Sequence, residues 1–342
     1  MSVVVVGAGI VGASVAYHLA RRGAPVTLID RAPAPATGAT GGSFAWIGGR
    51  GGHWPGGAED LRGSVLADHR RLEAELPDVA VRWSGSLRWD GAPVGAEPGE
   101  GRFRVGADGI RALEPGLREP PEWAVHTPSD GGLDAVAVTG ALVRAARGLG
   151  ARMVLGAAGV ALKTVDGRVL GVTSSAGFHP ASTVVLAAGT GVRGLLTPLG
   201  LELPIEASPA RLVRLTAPSG LVRAIVAGPE FEVREVREGR LLMTVPPTSS
   251  ADRALRRLQA SFHGADGCRV LDTRVSARPM PADGPLVGHL VPDGSVYLAV
   301  LHSAVTLAPT VGRLVAQELV TGESAEELRR CRPEGRILRG GG

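Results

Sequence analysis

Three glycines, Gly7, Gly9 and Gly12, stand in a G-x-G-x-x-G spacing near the start of the chain, and Asp30 follows eighteen positions after the last of them. Each member has a task in holding a dinucleotide. Gly7 makes a tight turn, Gly9 lets the backbone approach a pyrophosphate, Gly12 lets a helix pack closely on a strand, and Asp30 accepts from ribose hydroxyls. The diphosphate belongs on the helix N-terminus, at Ile10 and Val11, where unpaired N–H groups and the helix dipole favour anions. The spacing alone leaves NAD and FAD both open. A second group of reactive side chains lies in the glycine-rich loop "RAPAPATGATGGSFAWIGGRGGHWPGG", which carries Arg50 and His53. A loop this long without a regular pattern is either functional or disordered. Phe44, Trp46 and Trp54 argue for function, because disordered segments are poor in aromatic residues.

The elements that must position these groups follow from periodicity. "SVVVV" reads as a strand buried on both faces, Ile10 to Arg22 has helical spacing through Val11, Val15 and Leu19, and "VTLID" reads as a second buried strand. Thr183 to Ala188 is another near-continuous apolar run, so it belongs beside the first strand, with Gly189 and Gly191 at its C-terminal end near the cofactor. Leu61 to Leu76 reads as an amphipathic helix and "VRWSGSLRWDG" as a strand pair, while Gly91 to Asp130 is poorly patterned. Leu203 to Val275 is a polar-alternating block, with a hairpin at Glu238-Gly239 that has one solvated face. The last segment has a turn at Asp283-Gly284, a strand at Val296 to Val300 and a helix from about Thr306 to Val320, joined by "LHSAV".

Composition bounds the function. A chain of 342 residues, 44% apolar and 20% charged, buries a sizeable core and forms about two domains. The net charge of +4 is spread among interspersed acids and bases, which argues against nucleic acid as a partner. Cys268 and Cys331 are the only cysteines, without metal-ligand spacing or a disulfide framework, so no metal site and a cytoplasmic location are expected. No segment reads as a membrane span.

The N-terminal fingerprint, "VVLAAGTG" and "RPMPADGPLVG…VYLAVLHSAVTLAPTVGRLVAQEL" together resemble the FAD-dependent amine and amino-acid oxidoreductases of the glycine oxidase, sarcosine oxidase and D-amino-acid dehydrogenase type. The resemblance favours FAD over NAD. An NAD-dependent dehydrogenase would explain only the first thirty residues. The resemblance implies an α/β protein with a discontinuous Rossmann-like FAD domain (1–44, 134–203 and 276–342) and an interleaved mixed-sheet substrate domain (45–133 and 204–275).

Carried over by residue, the resemblance assigns Gly7, Gly9, Gly12, Asp30 and Arg31 to the ADP half. Thr40, Gly41, Gly42 and Ser43 form the turn near pyrophosphate and flavin, Val160 meets the adenine through its backbone, and Ala188 and Gly189 flank the cofactor. His302, Ser303, Ala304, Val305 and Thr306 run under the flavin ring, at the positive end of the last helix. Arg278 matches the arginine that pairs with a substrate carboxylate, a role that suits a planar guanidinium. Ser276 and Ala277 stand where the sarcosine oxidase branch has its flavin-linking cysteine, so a non-covalent flavin is expected.

The implied activity is oxidation of a C–N bond in a small amine or amino acid by hydride transfer to flavin N5. "LHSAVT" departs from the family's usual loop, and Tyr17 and Tyr297, the only tyrosines, are placed where neither can clamp a substrate. The only lysine, Lys163, lies away from the flavin, so oxygen as acceptor would need Arg50, His53 or a protonated His302 to supply a fixed charge. On that basis an oxidase is favoured. The alternatives are a dehydrogenase using a quinone or another acceptor, and a non-catalytic flavin-binding subunit.

Overall fold

The computed structural model describes residues 1–50, 54–89 and 99–339. Its centre is a six-stranded sheet in the order Leu286–His289, Val296–Val300, Thr183–Leu186, Val3–Val6, Val26–Asp30 and Arg152–Leu155, parallel except for the first pair. The run of four valines is explained by what covers it. Val3 and Val5 pack with the helices Ile10–Arg21, Ala135–Gly148 and Ala304–Thr321, while Val4 and Val6 pack toward the antiparallel sheet of Ala161–Val165, Arg168–Ser174 and Gly177–Pro180. A strand covered on both faces has no polar face to show, which is why alternation is missing. Each fully buried valine contributes about 1.5–3 kcal/mol.

Two helices are drawn together behind this sheet. A Cβ on Gly312 would fall 2.2 Å from Ser14 Oγ, so the helices touch backbone to side chain there, and Ser14 Oγ donates to the carbonyl of Ala308 at 2.8 Å. That contact fixes where the N-terminal end of Ala304–Thr321 lies relative to the glycine turn. The helix begins two residues before its expected start at Thr306.

The second layer is an eight-stranded mixed sheet: Arg269–Pro281, Ile205–Thr216, Arg240–Val245, Glu232–Arg237, Ile225–Ala227, Ser86–Arg88, Trp123–Thr127 and Phe103–Gly106. The hairpin at Glu238-Gly239 is present, but its strands are mostly buried on both faces, because Phe44, Trp46 and their neighbours cover the side expected to meet water. Arg269–Pro281 pairs with Ile205–Thr216 without interruption across residues 275 and 276, so Arg278 stands on the large sheet.

Other expectations need correction. The helix expected over 61–76 is two, Ala58–Arg62 and Val65–Glu75, interrupted at Gly63 and Ser64. "VRWSGSLRWDG" is not a strand pair: Val81–Arg82 joins a small sheet with Gly131–Leu133, and Ser86–Arg88 joins the large one. Gly85, at φ +68, turns the chain between them. The poorly patterned stretch contains the strands Phe103–Gly106 and Trp123–Thr127 and the helix Ala107–Leu113. The alternating block also hides a helix, Ala251–Ser261, whose start is capped by Ser250 Oγ accepting from Arg253 N–H at 3.1 Å.

Candidate active site

Between the two large sheets lies a cavity of about 1050 Å³. At one end the glycine turn divides its labour. Gly7, at φ +110, has no room for a Cβ, which would come 2.6 Å from the carbonyl of Ala187, and a Cβ on Gly12 would lie 1.8 Å from the Gly7 carbonyl. Both glycines serve packing, and Gly12 does not line the cavity. Gly9 is different: within 4 Å a Cβ there would meet only Thr40 Oγ1, at 3.2 Å, and Gly9 faces the cavity. A side chain at this position would occupy ligand space and require only Thr40 Oγ1 to give by a few tenths of an ångström.

Around this opening stand Ile10, Val11, Asp30, Arg31, Thr40, Gly42, Ser43, Val160, Ala188 and Gly189, so ten of the anticipated cofactor residues share one surface with Gly7 and Gly9. Asp30 Oδ2 accepts from Ala8 N–H at 2.6 Å and Oδ1 from Ala32 N–H at 2.8 Å, which fixes the carboxylate at the strand end. Thr40 Oγ1 accepts from Ile10 N–H at 3.1 Å. Gly41 is not on the surface. It and Gly42 permit close packing of Arg269–Pro281, since a Cβ on Gly41 would come 2.6 Å from the Arg274 guanidinium and one on Gly42 1.8 Å from Ser276 Oγ.

At the other end, His302, Ser303, Ala304, Val305 and Thr306 line the wall where the last helix starts. Ser303 is the N-cap and makes no side-chain cap bond, which leaves the first backbone N–H groups available to a ligand. The stretch is tied from two sides: Thr306 Oγ1 donates to the carbonyl of Trp46 at 2.9 Å, and His69 Nε2 donates to the carbonyl of Thr306 at 3.0 Å. Burial holds the His69 pKa near 4, so its ring is neutral.

Arg278 reaches the same cavity from the large sheet. Its Nη2 donates to Ser208 Oγ at 2.8 Å, the side chain is exposed, and no carboxylate among the described residues pairs with it. His302 is lowered to about 4, first by burial and then by the positive charge of Arg278. A protonated His302 is therefore not available near neutral pH, and the expectation that it supplies a fixed charge is corrected. Arg50 does not line the cavity either: it points outward and pairs with exposed Glu100 at 3.2 Å. His53 lies outside the described residues. Lys163 is exposed on its strand and Tyr17 and Tyr297 are bound to Glu75 and Glu318, so none of the three reaches the cavity.

The structure adds residues that sequence reasoning missed. Ser86, Arg88, Arg102, Asp130 and Glu232 line the cavity together with Trp46, one of the aromatic residues of the glycine-rich loop. Asp130 Oδ2 accepts from Trp46 Nε1 at 2.9 Å and Ser86 Oγ at 2.8 Å, and burial raises its pKa. The Arg88 guanidinium lies 5.5 Å from the Trp46 ring. Nothing in the local sequence marks Ser86, Arg88, Arg102, Asp130 or Glu232, because long-range pairing of short strands assembles them. Metal-ligand clusters are absent among the described residues, and no helix there is long and apolar enough to cross a membrane.

The cavity fits a dinucleotide: a glycine open to it, an acid at the strand end, an uncapped helix start and a long continuous lining. Both cysteines are free, buried and away from the cavity. Comparison with known proteins agrees. Residues 2–318 match the family of FAD-dependent oxidoreductases. The chain is 26% identical to a glycine oxidase of Pseudomonas aeruginosa over 98% of this chain and 99% of that one, and 26% identical to a D-amino acid dehydrogenase of Cereibacter sphaeroides over 95% and 93%. The crystal structure of glycine oxidase from Geobacillus kaustophilus superposes with a TM-score of 0.86 at 20% identity, covering 97% of each chain. With the family matched over most of its length and the cavity built to suit the cofactor, the chain belongs to the FAD-dependent oxidoreductase family and binds its flavin non-covalently.

Proposed function

We propose that this protein oxidises the C–N bond of a small amine or amino acid bearing a carboxylate, giving an imine. FAD, when bound, supplies the two-electron chemistry, with N5 as hydride acceptor. The observation that carries the reading is Arg278, an exposed guanidinium on the cavity wall beside His302, held through Ser208 and unpaired with any carboxylate among the described residues. Such a group binds a substrate carboxylate in two parallel hydrogen bonds and so orients the adjacent carbon. The N–H groups at Ser303 to Thr306 favour negative charge gathering on the far side of the cavity. Asp130 is engaged with Trp46 and Ser86 and shapes the wall. An amine that reacts in its neutral form needs no strong base. Two free cysteines fit a reducing cytoplasm.

For the acceptor we favour oxygen, with Arg278 as the fixed charge in place of Arg50 or a protonated His302. A dehydrogenase is the second reading, supported by the likeness to a D-amino acid dehydrogenase over 95% of the chain. The test is to bleach the flavin with substrate in the absence of air and then admit oxygen, with and without a quinone. Reoxidation by air alone, with peroxide formed, supports the oxidase. Reoxidation that waits for the quinone supports the dehydrogenase. A flavin that no amine bleaches would indicate a non-catalytic subunit.

A further inference from the structure

Arg234 is one of the largest fully buried side chains in the molecule, at 1% exposure, and no carboxylate contacts it among the described residues. Its Nε and Nη2 donate to the carbonyl of Phe44 at 2.8 and 2.6 Å, Nη2 also donates to the carbonyl of Leu133 at 2.6 Å, and Nη1 is buried without a partner. The guanidinium carbon lies 5.3 Å from the centre of the Phe44 ring. Room for it is built in: a Cβ on Gly132 would fall 2.7 Å from the guanidinium. Burial lowers its pKa to about 9, which leaves it charged at neutral pH. Among its neighbours, Asp134 favours the charge and Arg82 opposes it, but the Asp134 carboxylate is spent capping Val136 and Ala137.

A buried cation without a counter-ion is costly, and two carbonyls could be satisfied by a neutral donor. Its position suggests why the charge is there. Arg234 and Glu232 lie two residues apart on one strand, hence on the same face, and Glu232 lines the cavity. The segment that covers Arg234, Phe44 to Trp46, lines the cavity as well, and its far end accepts the hydrogen bond from Thr306 at the start of the last helix. The guanidinium thus stands directly behind a wall of the cavity.

We infer that Arg234 is a positioning residue and fixed counter-charge for the flavin: it holds the Phe44–Trp46 wall by its carbonyls and stabilises the negative charge the cofactor gains on reduction. This rests on FAD occupying the cavity, and the experiment keeps the two ideas apart. At an effective dielectric of about 20, loss of a unit charge behind the cavity wall is expected to change such an equilibrium roughly tenfold.

The holoenzymes of wild type, Arg234→Lys and Arg234→Gln are titrated with sulfite, which adds to oxidised flavin and places negative charge on it, and their flavin midpoint potentials are measured. Lysine keeps the charge; glutamine keeps a donor for the Phe44 carbonyl and loses the charge. At about pH 6 the lysine variant is expected within about twofold of wild type in sulfite affinity, and the glutamine variant roughly tenfold weaker, with a potential about 30 mV lower. Lysine and glutamine variants that behave alike, both unchanged or both weakened, would overturn the inference. If the glutamine variant does not retain flavin, the lysine variant decides by itself: near-wild-type affinity supports the counter-charge and a tenfold loss overturns it. A wild-type protein without flavin would instead contradict the cofactor assignment.

Discussion

Thr40 Oγ1 accepts a hydrogen bond from Ile10 N–H at 3.1 Å, and that same oxygen is the one group a Cβ on Gly9 would meet within 4 Å. The fingerprint glycines therefore differ in what their substitution does. Gly9→Val should fold and purify without flavin, with apo-protein melting close to that of wild-type apo-protein. Gly12→Ala, whose Cβ would lie 1.8 Å from the Gly7 carbonyl, should lose stability whether or not flavin is present. Thermal melts of both apo-proteins and the flavin absorbance per chain check this pair; a yellow Gly9→Val protein would refute the assignment.

Arg278→Ala removes charge-assisted hydrogen bonds to a substrate carboxylate and should lower kcat/KM by about 2–4 kcal/mol, roughly 30- to 1000-fold. In flavin reduction measured without air, the same change should alter little for an amine analogue lacking the carboxylate. Equal losses for both substrates would mean that Arg278 supports the wall through Ser208 and does not read the carboxylate.

Glu114 gives a pH dependence remote from the site. It is fully buried, and although Arg223 N–H and Ala224 N–H both donate to its Oε2 at 2.8 Å, burial outweighs them and raises its pKa to about 7. The folded protein therefore holds this proton more tightly than the unfolded chain, whose carboxyl titrates near 4.5. The stabilisation is full below about pH 4.5 and is lost as pH rises through 7, with a slope of at most about 1.4 kcal/mol per pH unit. Denaturant unfolding from pH 5 to 8 should show wild type losing stability relative to Glu114→Gln. Parallel curves would contradict it.

The cofactor half of the site was legible in the sequence because its signals are local. Strand, turn, helix and acid lie within thirty residues, and the strand at Thr183 announces itself by burial on both faces. The substrate half was not. Ser86, Arg88 and Asp130 come together through two- to five-residue strands that pair across long separations, and Arg234 is hidden in an alternating run that reads as a half-exposed hairpin. Arg50 illustrates the converse error: closeness in sequence to the flavin-facing turn placed it near the site, whereas the chain turns it outward to Glu100.

In the proposed reaction a flavin in this cavity takes electrons from a carboxylate-bearing amine. The most direct measurement is the visible spectrum of the purified holoenzyme, mixed without air with a panel of amino acids, N-alkylated amino acids and their decarboxylated counterparts. The expected result is a flavin that acid precipitation releases into the supernatant and that at least one carboxylate-bearing amine bleaches faster than its decarboxylated counterpart. A flavin that stays oxidised with every such amine, or that is bleached equally by the decarboxylated forms, would contradict it.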